Sequence, residues 1–285
     1  MTFGQAMFLA VLQGVSELFP ISSLGHTVLI PALLRWQIDR DSPEFLSFVV
    51  ALHLGTALAL VVFYWATWKG IVGAFVRSVA RGRFERTADE KTAWLLVAGT
   101  IPVALLGVYF ESAVRTLFAS PLPVSLFLVA NGTIMFLGEH LRRRQHAASD
   151  RAYRALESLN WRDGALIGLS QGLALLPGIS RSGTSIVAGL LADLDHEAAA
   201  RFSFLLATPV IFAASVLEVP KLFTASGNTV LTEALAGGVL AGVVAYASVA
   251  FLTKYFENND LRPFGWYCLI VGAACAVLFI TKVIA

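Results

Sequence analysis

Apolar residues in this chain run in long blocks, without the period of an amphipathic helix or a half-buried strand. Six blocks, at about 45–68, 92–110, 122–140, 200–219, 231–253 and 264–283, suit membrane helices. Crossing about 30 Å of hydrocarbon takes about 20 residues. Two further apolar regions, 3–36 and 164–194, are interrupted. The first breaks at Phe19-Pro20-Ile21-Ser22-Ser23. The second breaks at Leu176-Pro177-Gly178-Ile179-Ser180-Arg181-Ser182-Gly183. Each arm has about 13–16 residues, so it spans about 20–24 Å and falls short of the far side. A helix, a Pro/Ser/Gly break and a second helix predict a re-entrant hairpin. Irregular backbone at that depth has to be buried in protein or line a cavity. The pattern predicts an all-α polytopic membrane protein: about six transmembrane helices plus two re-entrant helical hairpins in a single domain, 1–285.

The two breaks resemble each other. Gln13, Gly14, Ile21, Ser22 and Gly25 fall on Gln171, Gly172, Ile179, Ser180 and Gly183 at one constant offset, and proline matches after a one-residue shift. The first repeat, 1–140, holds hairpin 3–36 and three spans. The second, 161–285, holds hairpin 164–194 and three spans. Three is odd, so the second half inserts upside down. This is the inverted-repeat plan in which broken helices form sites near the midplane.

Composition agrees with lipid as the solvent. Hydrophobic residues make up 57% and charged residues 14%, with a mean hydropathy of +0.72. Soluble domains run at about 45–50% and about 25%. Disorder, nucleic-acid binding and an ordinary cytosolic enzyme are excluded. The net charge of +2 says little, but its distribution sets an orientation. Fifteen of the 21 lysines and arginines, including Lys69, Arg77, Arg142, Arg143, Arg144 and Arg262, fall on one predicted side. Five (Arg35, Arg40, Arg115, Lys221 and Lys282) fall on the other, and Arg181 sits in a break. By the positive-inside rule the larger group is cytoplasmic and both termini face outward. Neither a basic n-region nor a cleavage site marks a removed signal peptide. Cys268 and Cys275 read as small core residues, with no disulfide or zinc framework.

Ser22 and Ser180 stand at N-cap-like positions of the second arms, where free N–H groups and the helix dipole attract anions. Gly25 and Gly183 allow close backbone approach. Two such starts meeting at one point suit a doubly charged phosphate; a hinge without a ligand is the alternative. Glu17 and Arg181 are ionisable residues inside apolar segments, each costing about 2.5–3.5 kcal/mol on insertion scales, and so mark a functional site. The plainer reading is that they pair and pin the hairpins together. With Ser23 starting a helix, His26 lies one turn on, setting a hydroxyl beside a base; a lone histidine also reads as core. His53 is open between helix–helix hydrogen bonding and site lining. Asn131 and Ser203 read as packing residues and Glu139 and His140 as interfacial. Asp193, Asp195, His196 and Glu197 read as a solvated turn. The Arg142–Arg144 run is an orientation signal that also suits lipid headgroups. Trp65, Trp68 and Trp266 suit an interfacial belt. The stripe Ala236-Gly237-Gly238-x-x-Ala241-Gly242 suits close helix packing, between two copies in a homodimer or within one chain.

Gln13-x-x-x-Glu17 with Pro20-Ile21-Ser22-Ser23-x-Gly25-His26 resembles the first signature of the undecaprenyl-diphosphate phosphatase (bacitracin-resistance) family. Pro177-Gly178-Ile179-Ser180-Arg181-Ser182-Gly183 resembles its second, and Phe202-Ser203-Phe204-Leu205-Leu206-Ala207 resembles its next span. The resemblance covers essentially the whole chain. It implies hydrolysis of a polyprenyl diphosphate lipid to the monophosphate and inorganic phosphate in the bacterial cytoplasmic membrane. That reaction recycles the carrier of cell-wall synthesis and confers bacitracin resistance. It implies a site opening outward and a divalent cation, Mg²⁺ or Ca²⁺.

Carried over by position, Glu17, Ser23, His26 and Arg181 are the catalytic candidates, with Glu17 holding the metal or acting as base. Gln13, Ser22, Gly25, Ser180, Ser182, Gly183, Thr184 and Ser185 are the substrate-binding candidates. Gln13 departs from a position that is often Glu, so a two-carboxylate metal site is in question, and His53 stands where many members carry Gln. Phosphoryl transfer is served by positioning and charge neutralisation. Attack by Ser23 with His26 as proton carrier, and direct attack by water, are both open. A lipid-phosphate flippase or anion transporter using the same midplane site is the competing class.

Overall fold

The structure, a computed structural model, describes residues 1–39, 42–82, 84, 87–110, 120–147, 153–225 and 228–283. The side chains at 43 and 217–230 lie outside that description. So do Arg40, Arg83, Arg86, Arg115, Arg151 and the side chain of Lys221, on which part of the charge reading falls. Among the described residues every regular element is helical. In chain order these are α1 (Phe3–Ser16), α2 (Ser23–Leu33), α3 (Pro43–Phe63), α4 (Trp65–Arg81), α5 (Ala88–Tyr109) and α6 (Pro121–Ala147). They continue with α7 (Trp161–Ser170), α8 (Arg181–Leu191), α9 (His196–Ala225), α10 (Asn228–Phe256) and α11 (Arg262–Ile280).

Six of these helices, α3, α5, α6, α9, α10 and α11, are long and apolar enough to cross a bilayer. The chain is an all-α polytopic membrane protein. Both interrupted regions break at the predicted places. α1 stops at Ser16, where the chain meets Pro20 four residues on, and α2 resumes behind Ser22. α7 passes through a 3₁₀ turn, Gln171–Leu175, before Pro177-Gly178, and α8 resumes behind Ser180. Proline lacks an amide donor and glycine lacks a Cβ, so each sequence ends one helix and frees backbone groups for other partners.

Two readings at the span ends are corrected. The first span ends at Phe63 rather than near 68, because Tyr64 leaves helical geometry (φ −96°, ψ 29°) and a new helix starts. The basic stretch that follows, with Lys69 and Arg77, contains most of α4. Ile71, Ala74 and Ser78 are turned inward, while Lys69, Arg77 and Arg81 stay exposed. Its cations hide the 3–4 spacing that marks the buried stripe. At the far end of α6, Glu139 is buried rather than interfacial. It accepts from His196 Nε2 at 2.6 Å and from the Leu261 amide at 3.0 Å. His196 is therefore partly buried in this contact rather than a free residue of a solvated turn.

Small residues let the spans approach, as packing in lipid requires. Gly55 on α3 lies directly against Gly238 and Gly242 on α10, and Gly237 abuts Leu52 and Phe48. The stripe at 236–242 is thus consumed within one chain. Gly132 on α6 faces the Gly265 carbonyl of α11, where an added Cβ would come within 2.7 Å. α1 packs along α10, and α7 packs along α5.

Candidate active site

The two breaks meet in the protein interior, and one amide ties them. Asn131, fully buried on α6, donates from Nδ2 to the Pro20 carbonyl at 2.9 Å. Its Oδ1 accepts from the Ser180 amide at 3.0 Å, and Nδ2 also approaches Cys268 Sγ at 3.3 Å. Ser22 Oγ caps α2 through Gly25 N and accepts from Gly178 N, both at 3.2 Å. Ser182 Oγ donates to the Phe19 carbonyl at 3.2 Å. A Cβ on Gly25 would stand 3.0 Å from Gly178 Cα, so the glycine permits this approach. Ser22 holds φ +70° and Gly178 φ +114°. The serine lies in a region that disfavours side chains, and such strain is held where surroundings over-determine it.

Glu17 stands at the centre. Its Oε1 accepts from Arg181 Nη2 at 3.1 Å, which joins the first break to the second. Its Oε2 accepts from Ser23 Oγ at 2.6 Å and Gln13 Nε2 at 3.1 Å, with His53 Nε2 at 3.2 Å. His53 Nδ1 faces the Val49 carbonyl at 2.8 Å. The Val49 carbonyl only accepts, so Nδ1 of His53 donates to it. The buried carboxylate is therefore flanked by a guanidinium and an imidazole, which offsets the cost of taking it out of water. Two buried atoms here have no partner among the described residues: Arg181 Nε, a donor, and Gln13 Oε1, an acceptor.

Glu17, Ser23, Arg181, Gln13, Ser22, Gly25, Ser180, Ser182 and Gly183 are thus gathered around the meeting breaks. Thr184 and Ser185 are adjacent on α8, but their hydroxyls turn back on it. Thr184 Oγ1 donates to the Ser180 carbonyl at 3.1 Å. Ser185 Oγ donates to the Arg181 carbonyl at 2.7 Å and meets Ser203 Oγ at 2.7 Å. Arg181 Nη1 also donates to the Ser203 carbonyl at 3.4 Å, so Ser203 supports the site.

The expected Ser23–His26 pair does not form. Ser23 Oγ points to Glu17, while His26 Nδ1 donates to the Ser22 carbonyl at 2.7 Å and Nε2 meets Tyr267 OH at 2.8 Å. The capped start of α2 turns the two side chains to different partners. Tyr267 carried no signal in the sequence. Asn131 carried one, a lone amide in mid-span, but only the fold shows that it bridges the two breaks. His53 resolves to the site-lining reading.

The chain matches the family described as bacitracin resistance protein BacA over residues 6–274. It is 47% identical to the undecaprenyl-diphosphatase of Acidiphilium cryptum, over 96% of each chain. It is 46% identical to the undecaprenyl-diphosphatase of Mycolicibacterium paratuberculosis over 97% of each, and 43% identical to undecaprenyl-diphosphatase 2 of Frankia alni over 98% of each. A match of this extent, over both breaks and all six long helices, places the chain in the bacitracin resistance protein BacA family.

Proposed function

We propose that the chain hydrolyses undecaprenyl diphosphate, a polyprenyl diphosphate lipid, to the monophosphate and inorganic phosphate. The observation that carries this reading is the cluster of Glu17, Ser23 and Arg181 drawn from two different breaks, with a buried Arg181 Nε left unpartnered. A guanidinium whose Nε–H is free suits a phosphate oxygen.

Arg181 holds the terminal phosphate. Ser23 Oγ attacks its phosphorus and passes its proton to Glu17 Oε2, the group it already bonds. The bridging P–O bond breaks and the lipid monophosphate leaves with the electron pair. Water then attacks the phosphoserine phosphorus and gives a proton to His26, whose ring Tyr267 OH holds, while the bond to Ser23 Oγ breaks and Oγ takes back the proton held by Glu17. The base on Ser23 is therefore Glu17, in place of His26.

A divalent cation fits the donor set as hard oxygen ligands. Glu17 and the unpartnered Gln13 Oε1 would hold Mg²⁺ or Ca²⁺ together with substrate oxygens. Among the described residues no group of three or more His, Cys, Asp or Glu stands placed to hold a metal ion. When bound, the cation supplies neutralisation of diphosphate charge.

The same reading takes α1–α2 and α7–α8 as re-entrant hairpins of an inverted repeat, 1–140 and 161–285. The termini and the site face outward. The packing of α1 on α10 and of α7 on α5 supports it, because a two-fold in the membrane plane exchanges those pairs.

The test uses purified protein in vesicles carrying the prenyl diphosphate, with released phosphate measured. Wild type releases phosphate and Arg181→Ala does not. Phosphate release unaffected by Arg181→Ala would overturn the site, and full turnover by Ser23→Ala would eliminate the covalent step in favour of water.

A further inference from the structure

The helix α4, too short and too charged to be a span, is divided lengthwise into three faces. Ile71, Ala74 and Ser78 are buried. Trp65, Val72, Val76 and Val79 form an apolar stripe that the protein leaves open, and Val76 is 59% exposed. Lys69, Arg77 and Arg81 are exposed on the remaining arc. At about 3.6 residues per turn the three sets follow one another around the axis without mixing. A surface helix in water needs one apolar face and one polar face. A third, apolar and uncovered, calls for hydrocarbon beside it.

The contacts with α5 show how α4 lies. Trp94 Nε1 donates to Ser78 Oγ at 2.7 Å, and the Trp94 ring meets Phe75 at 5.1 Å. Arg81 Nη1 reaches Glu90 Oε1 at 3.4 Å, while a Cβ on Gly70 would stand 2.8 Å from Asp89 Oδ2. Gly70 and Arg81 are about 16 Å apart along α4 at about 1.5 Å per residue. Both nevertheless meet the first turn of α5, at adjacent residues. Helices running side by side would separate those contacts by a similar length. α4 therefore crosses the start of α5, which is long and apolar enough to span. Its first turns also touch the start of α9, where Arg201 Nη2 donates to Thr67 Oγ1 at 3.4 Å. A helix laid across the ends of two spans runs parallel to the membrane plane.

The charge of α4 selects what it meets there. The helix contains no acidic residue. Arg81 is paired with Glu90, but among the described residues Lys69 and Arg77 form no ion pair. Lys69 Nζ stands 5.8 Å from the Trp65 ring, so the ammonium sits at the edge of the apolar stripe. Lysine and arginine beside such a stripe extend their heads to the phosphates while their stems cover hydrocarbon. The side concerned is the one that the charge reading makes cytoplasmic.

We propose that α4 is an interfacial helix that binds anionic phospholipid headgroups. Trp65, Val72, Val76 and Val79 rest on the acyl chains, and Lys69 and Arg77 hold the phosphates. The ends of α5 and α9 are thereby fixed at headgroup level. The proposal does not rest on the phosphatase reading.

The test places one fluorophore on the full chain in lipid vesicles, through Val72→Cys, Val76→Cys or Val79→Cys. The chain without these changes sets the background, since Cys268 and Cys275 are buried. Quenching by phosphatidylcholine brominated at graded chain positions reads depth, and the labels at 72 and 79 should read the same depth. A steeply inclined helix would separate them by about 10 Å, and that result overturns the placement. The label at 76 reads headgroup preference. Brominated phosphatidylglycerol should be preferred to brominated phosphatidylcholine at least about fivefold, the order of one cation at an anionic surface. Lys69→Gln with Arg77→Gln should bring the preference to near parity, whereas Lys69→Arg with Arg77→Lys should keep it. Equal quenching by the two lipids without these changes, or a preference that survives the glutamine pair, overturns the assignment of anionic lipid.

Discussion

Replacing Asn131 by alanine tests whether the two breaks work as one unit. The change removes the donor to Pro20 O (2.9 Å) and the acceptor of Ser180 N (3.0 Å), one backbone group in each break. A buried backbone group stranded without a partner costs about 1–3 kcal/mol, so two cost about 2–6 kcal/mol. Hydrogen bonds within membranes average only about 0.6 kcal/mol, which favours the lower end, about 2 kcal/mol. A domain with about 5–15 kcal/mol of stability survives that loss. Catalysis does not, because misplacing a reacting group by about 1 Å costs on the order of 100-fold. The expected result is a folded protein with a modestly lowered melting temperature and a kcat down by about two orders of magnitude. The assay pairs thermal unfolding in detergent with phosphate release well below the transition. Full turnover at unchanged KM would refute the coupling of the breaks. A loss of activity that merely follows the loss of folded protein would refute it too.

Other expectations follow from single contacts. Gly25→Ala puts a Cβ 3.0 Å from Gly178 Cα and 3.2 Å from Ser22 Oγ, so the facing break must give by a few tenths of an ångström. Phosphate release should fall at least about tenfold, and full activity would show that the breaks tolerate separation. Tyr267→Phe keeps the ring stacked on His26 at 5.7 Å but removes the 2.8 Å hydrogen bond. Here kcat should fall several-fold with KM unchanged, and a His26→Ala background should abolish the effect; a Tyr267→Phe effect that persists without His26 would count against the assignment. Gly55→Leu, by contrast, acts on packing alone. Gly55 lies against the backbone of Gly238, so α3 and α10 must separate. Overpacking of this kind costs about 1–3 kcal/mol. The melting temperature should drop, and an unchanged transition would contradict the observed packing.

Much of the fold was legible because lipid imposes a simple rule. Uninterrupted apolar blocks gave the six long helices, and Pro20 and Pro177-Gly178 gave the two breaks. Glu17 and Arg181 stood out because charge inside an apolar block demands an explanation. What stayed hidden depends on distance across the fold. His26 is spaced one turn from Ser23, and that spacing is blind to the Glu17 carboxylate, which takes the Ser23 proton donor, and to Tyr267, 241 residues away. Asn131 looked like many polar residues used to pack membrane helices. Only the convergence of both breaks on it gives it a different role. Glu139 was misread because the arginines after it suggest an interface, whereas His196 and the Leu261 amide supply its partners from elsewhere in the chain.

The central claim is that Glu17 and Arg181, 3.1 Å apart and 164 residues apart in sequence, act on one phosphate. A double-mutant cycle measures this directly, using phosphate release from the prenyl diphosphate by reconstituted wild type, Glu17→Gln, Arg181→Ala and the double variant. Residues of one catalytic unit are strongly non-additive, so each single change should lower kcat/KM at least about 100-fold and the double should be little worse than either. Losses that multiply as for independent sites would contradict the account.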